Sequence, residues 1–131
     1  MDNRFEVTVG AGTMMSPSGT AVRFPHRWTD GGVTVEADFT GGHVFHLAVA
    51  GCVLNDVYRE AAALGIDVKG VRVTAAGGFD TATWQSTGID YSVEVSSDAP
   101  ADRLAHLLSV VDQVAEIPQA IRAGASVRRI T

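Results

Sequence analysis

The stretch HVFHLAVAGCVLNDVYREAAAL, residues 43–64, decides the fold. It contains no proline and ends at Gly65, a residue suited to a helix C-terminus. Phe45, Val49, Val53 and Val57 recur every fourth residue. Ala48, Cys52 and Asp56 form an adjacent row, and Leu47, Ala50 and Leu54 are also apolar. The spacing predicts one long helix, apolar over most of its first half. A helix over residues 43–64 extends roughly 33 Å, which is long for a small domain and places it through the centre. Arg59, Glu60 and three alanines predict a more exposed far end.

On either side the period changes to two. Phe5, Val7 and Val9 alternate with Glu6 and Thr8, predicting a strand over Arg4–Val9. Gly10–Gly19 reads as a loop, and Thr20–Phe24 as a second strand stopped by Pro25. Asp30-Gly31-Gly32 is a turn signal, followed by a strand around Val33 and Val35. Gly41-Gly42 closes this antiparallel meander. Beyond the helix, Ile66–Ala75 and Gly88–Val95 alternate again, joined by a loop carrying Trp84. Asp98 and Pro100 open a second helix with Leu104, Leu107, Leu108 and Val111 on one face. Pro118 and Gly124 bracket a third, and Ser126–Ile130 reads as a closing strand. Grouped strands and helices of this order indicate an α+β fold of antiparallel strands around a long central helix. With 131 residues and no linker-like segment, the chain is expected to form a single domain over residues 1–131.

Composition narrows the partners. The net charge is −5, and the one basic cluster is Arg128-Arg129, so nucleic acid is not an expected ligand. The apolar run from Val44 to Leu54 is too short to span a bilayer, so no membrane association is expected. The N-terminal residues show no apolar signal core, and one cysteine cannot form an internal disulfide; a reducing cytoplasm is the expected location.

Cys52 is the chemical question. It is either inert packing or a reactive sulfur, and reactivity requires a thiolate stabilised by a nearby cation. It lies too deep in its helix for the helix N-terminus to help, so a residue distant in sequence must act. Arg23 and Arg27, flanking Pro25-His26, are the candidates, with Arg27 ahead. His43 and His46 share a helix face at a spacing that suits two metal ligands, but no further ligand is apparent. They are read as polar groups at a helix start or a subunit contact, and no metal or cofactor is expected.

Taken together, Ala48-Val49-Ala50-Gly51-Cys52, Ala63-Leu64-Gly65-Ile66, Val71-Arg72-Val73 and Ile121-Arg122-Ala123-Gly124 resemble the OsmC/Ohr family of osmotically inducible and organic hydroperoxide resistance proteins. The resemblance runs from about Gly41 to the C-terminus. It implies an intertwined homodimer with two long central helices and active sites drawn from both chains. It further implies a cysteine peroxidase in which the residue matching Cys52 attacks a hydroperoxide and becomes a sulfenic acid. A second cysteine resolves it, and an arginine and a glutamate position the thiolate and the substrate.

This chain departs from that pattern. Ala115 stands at the second cysteine, and the glutamate falls near Gly42, with Glu36 or Asp38 as substitutes. Two functions follow. One is a one-cysteine peroxidase for organic hydroperoxides in the oxidative stress response, served by an external thiol reductant. Its nucleophile is Cys52, assisted by Arg27 or Arg23, with substrate against Phe45, His46, Val49 and Val53. The other is a catalytically inactive dimer that holds a small apolar ligand at the subunit interface, with His43 and His46 at the pocket mouth.

Overall fold

The computed structural model describes residues 4–131. Five strands, β1 (Val7–Gly12), β2 (Val22–Phe24), β3 (Val33–Glu36), β4 (Gly70–Phe79) and β5 (Ser86–Ser96), form one antiparallel sheet in the order β2-β3-β1-β4-β5. Three helices, α1 (Gly41–Leu64), α2 (Ala101–Val114) and α3 (Glu116–Ala123), complete a mixed α+β architecture.

Register converts the period-two pattern into rows. Val9 pairs with Val35 on one side and Val73 on the other, and Val73 pairs with Val93. Val33, Ala11, Val71 and Val95 make the next row in the same way. Such rows present a continuous apolar face, and α1 packs on it, mainly over β1 and β4. Val53 and Val57 are fully buried there and Val49 nearly so. α2 packs on α1 through the buried Leu107 and Val111, and α3 follows through Ala115, which is also buried.

Local chemistry sets the ends of α1. The Thr40 side chain accepts from the His43 amide, so the helix starts at Gly41 and takes in the Gly41-Gly42 pair expected to be a turn. At the other end Gly65 has φ 70°, with its amide on Ala62 and the Ile66 amide on Ala61. Leu64 is thus the last helical residue, as the spacing predicts.

Three expectations need correction. First, β1 extends through Gly12, because pairing with β4 continues to Gly12↔Gly70 beyond the alternating run; the loop expected from Gly10 therefore starts later. Second, the strand expected over Ile66–Ala75 is displaced to Gly70–Phe79, since Ile66 is occupied by the end of α1. Third, Ser126–Ile130 forms no strand; Val127 is 93% and Ile130 84% exposed, so among the described residues their alternation has no sheet edge against it.

Truncation at the α1–α2 contact should be costly and truncation in the tail should not. Leu107→Ala is expected to destabilise by about 2–5 kcal/mol, read from the urea midpoint, whereas Val127→Ala should stay within about 0.5 kcal/mol. Equal effects would contradict this account of the core.

Candidate functional site

Helical pitch carries Cys52 to the side of α1 that α3 covers. Cys52, Asp56 and Arg59 sit at i, i+4 and i+7, which stacks them on one helix face. Glu116 and Ile117, in the first turn of α3, close over them. The half-buried thiol donates to Glu116 Oε2 at 3.3 Å and to Asp56 Oδ2 at 3.8 Å. The Ile117 amide donates to Sγ at 3.5 Å. Arg59 joins the two carboxylates: Nη2 lies 3.1 Å from Asp56 Oδ2, and Nη1 forms a short bond to Glu116 Oε1.

The environment pushes these groups in different directions. Burial, offset in part by the Ile117 amide, moves the Cys52 thiol up to about 11, and the hydrogen bond to Glu116 and the nearby negative charges add to the rise. At pH 7 about one thiol in ten thousand is then ionised. Burial also raises Asp56, to about 6, with Arg59 pulling the other way. Glu116 is held down to about 2, first by its bond to Arg59 and then by the thiol. Two carboxylates on one thiol therefore have separate characters, one a permanent anion and one able to exchange a proton near neutrality.

The oxygen and sulfur atoms of Cys52, Asp56 and Glu116 lie within 4.8 Å of one another, a spacing that would suit a metal ion. The Arg59 guanidinium already supplies their positive charge.

The residues expected at the site are dispersed. Arg27 lies beside a different cavity, an apolar groove of about 390 Å³ between the β1–β3 end of the sheet and α1, lined also by Phe24, Trp28, Leu47 and Leu54. Its guanidinium sits 6.0 Å from the Trp28 ring. Arg23 is exposed on β2, opposite Thr34. Among the described residues neither arginine bonds to Cys52. Glu36 and Asp38 border a separate polar cleft beside His43.

Val53 is fully buried in the core, and so is His46, whose Nδ1 donates to the Gly42 carbonyl at 2.7 Å inside a ring of Phe5, Phe45 and Phe79. His43 pairs with the capping Thr40 at 2.6 Å. Both histidines thus serve the start of α1. Phe45 is half-buried, and Val49 borders a cleft of about 290 Å³ with Ile89, Tyr91, Pro118 and Ile121.

The two departures noted in the sequence have structural counterparts. A Cβ at Gly42 would lie 2.4 Å from the Phe5 ring, so a glutamate there would displace that ring. Ala115 is fully buried at the α2–α3 junction, and the atoms of this segment that meet the thiol belong to Glu116 and Ile117. The expectation that a residue distant in sequence supplies the cation is corrected: Arg59, on the same helix, does so. The i+4 and i+7 spacing of Asp56 and Arg59 from Cys52 carried that signal and was passed over, whereas nothing in the sequence brings Glu116 to them.

Among the described residues no helix is long and apolar enough to cross a membrane. No curated protein matches the chain. Among solved structures, an OsmC-like hydroperoxide resistance protein from Jannaschia sp. CCS1 superposes with a TM-score of 0.52 at 13% identity, covering 96% of this chain and 93% of that one. At that identity the likeness concerns the fold. The family model described as OsmC-like protein matches residues 32–128, from the start of β3 to beyond α3, and the chain belongs to the OsmC-like family.

Proposed function

We propose that this protein is a one-cysteine, thiol-dependent peroxidase for organic hydroperoxides, acting in the oxidative stress response. The observation that carries the reading is the Arg59–Glu116 pair seated on the Cys52 thiol. The family resemblance leads one to expect an arginine and a glutamate beside the reactive cysteine. Here such a pair is present on α1 and α3, although Gly42 cannot supply the glutamate. The solved structure of similar fold is that of a hydroperoxide resistance protein, which agrees with this reading.

In the proposed cycle Cys52 is the nucleophile. Asp56, which exchanges a proton near pH 6, accepts the thiol proton. The sulfur attacks the terminal oxygen of ROOH, an S–O bond forms, the O–O bond breaks, and the leaving alkoxide takes that proton to depart as an alcohol. Arg59 has five N–H donors; beyond its contacts with Asp56, Glu116 and, at 4.0 Å, Glu60, it is assigned to stabilise the charge that develops on oxygen. The product is a sulfenic acid. One external thiol converts it to a mixed disulfide and water, and a second releases Cys52 with formation of the external disulfide. No resolving cysteine is needed.

Two copies are proposed to intertwine as a homodimer. Arg23 and Arg27 are then assigned to act across that contact on the partner's thiol. No nucleic acid, membrane or cofactor has a place in this reading, and the cytoplasm suits its dependence on external thiols.

A second reading rests on a different observation. The thiol is overwhelmingly protonated and an apolar groove of about 390 Å³ lies on the other side of α1, as a ligand-holding dimer without catalysis would have it. The readings separate in one experiment: one equivalent of cumene hydroperoxide with a sulfenic-acid trap, followed by mass spectrometry. Peroxidase chemistry labels Cys52 in the wild type, leaves Cys52→Ser unlabelled, and slows about tenfold or more in Arg59→Gln. An unlabelled wild-type thiol would sink it.

The electrostatics give a further expectation. Because the thiol sits near 11, alkylation by iodoacetamide should climb about tenfold per pH unit from pH 7 to 10. Glu116→Gln removes an anion and a hydrogen-bond acceptor from the S–H, so its inflection should fall. An inflection that stays put or rises would show that Glu116 does not hold the proton on sulfur.

A further inference from the structure

A backbone nitrogen, and not only side chains, meets the thiol. A helix leaves the N–H groups of its first turn without a carbonyl of its own. In α3 the Glu116 amide serves its own carboxylate, Pro118 has no N–H, and the Gln119 amide reaches the Ala115 carbonyl at 3.2 Å. The Ile117 amide is left over, and it points at Cys52 Sγ, 3.5 Å away.

That placement bears on the fate of an oxidised sulfur. The chain has one cysteine, so a sulfenic acid at Cys52 finds no second thiol within its own chain. A sulfenic acid also condenses with a backbone nitrogen, giving a sulfenamide. The Ile117 nitrogen suits this on two counts. Its hydrogen makes no helical bond, so its loss leaves α3 intact, just as proline is tolerated in a first helical turn. Ala115, extended at φ −61° and ψ 121°, is a non-helical joint between α2 and α3, about which the first turn of α3 can close on sulfur.

We propose that oxidised Cys52 cross-links to the Ile117 nitrogen as a reversible sulfenamide, which guards the sulfur against further oxidation until an external thiol arrives. The proposal rests on the peroxidase reading for its sulfenic acid and adds a step after it. The nitrogen bonds to sulfur, the S–O bond breaks, and the hydroxyl leaves with the amide proton as water. Sulfur keeps its oxidation level in this step, so the hydroperoxide is the only oxidant. On return a thiol attacks sulfur, the S–N bond breaks, the nitrogen regains a proton, and a second thiol opens the mixed disulfide. α1 and α3 are thus joined covalently in the oxidised protein and by non-covalent contacts in the reduced one.

The full chain is treated with cumene hydroperoxide, without thiol or trap, and weighed by high-resolution mass spectrometry. The sulfenamide lies about 2 Da below the reduced chain, whereas a sulfenic acid lies about 16 Da and a sulfinic acid about 32 Da above it. The wild type should accumulate the lighter species, dithiothreitol should restore the starting mass, and peptide mapping should join the Cys52 and Ile117 peptides. Ile117→Ala keeps the N–H and should keep the cross-link. Ile117→Pro removes that hydrogen and should lose the cross-link, passing to the sulfinic acid about tenfold faster. A wild type that reaches sulfinic acid with no lighter species, a cross-link mapped to another nitrogen, or one that survives in Ile117→Pro would overturn the proposal. Excess hydrogen peroxide, which oxidises a thiol without help from the site, separates the two readings. A cross-link formed under it, in a protein that reacts with cumene hydroperoxide no faster than Arg59→Gln does, leaves the sulfenamide and removes the peroxidase. A trapped sulfenic acid that never cross-links does the reverse.

Discussion

The rotation of α1 is fixed by three valines. Val49, Val53 and Val57 are pressed into the sheet, and each is worth roughly 1.5–3 kcal/mol when buried. A helix held at three successive turns cannot roll. At 100° per residue, the remaining faces are then assigned: Cys52, Asp56 and Arg59 toward α3, and Leu47, Gly51, Leu54 and Asn55 toward the groove beside β2 and β3. The thiol's neighbours follow from this packing.

That constraint explains why Arg27 and Cys52 do not meet within the chain. Arg27 shares its groove with Gly51, the residue immediately before Cys52, and one residue on a helix turns the side chain by about 100°. The groove is also stabilised by its own polar contacts. His26 bonds Thr29 at 2.7 Å and Asn55 at 3.0 Å, which anchors the segment after β2 to α1. A cation on that side stays on that side, and the guanidinium that reaches the thiol cluster comes from α1 itself.

Much of the fold was legible because period and punctuation agreed. The valine row, the Gly65 cap and the alternation in β3 and β5 each gave one answer in sequence and in structure, while β1 lies at Val7–Gly12 where the alternation had suggested Arg4–Val9. The disagreements arose where a local pattern met a nonlocal demand. β4 starts four residues late because the Ile66 amide closes α1, and the tail alternates with no strand of its own chain beside it. The site was half legible. Cys52 stood out as the lone thiol and Asp56 was on the correct stripe, but Glu116 is separated from Cys52 by 64 residues. His46 and Val53 show the converse limit. Periodicity marks a residue as facing inward without saying whether it meets core or cavity, and both meet core.

The chemistry at Cys52 can be weighed against this geometry. Two carboxylates against a thiol oppose ionisation, and one guanidinium shared between them does not cancel that opposition, since the thiol stays near 11. An arrangement built only to lower a thiol pKa would place the cation on sulfur. Here the cation is placed on the acids: it holds Glu116 as a fixed anion, while burial outweighs it at Asp56 and leaves that group titrating near 6. Such a centre has little standing thiolate, and the proposed peroxidase cycle would require the proton to move at the moment of attack. At 3.8 Å the thiol is already within sulfur hydrogen-bond reach of Asp56, so the proton has a direct path to that carboxylate. Excluding water from this centre would strengthen every one of these charge interactions.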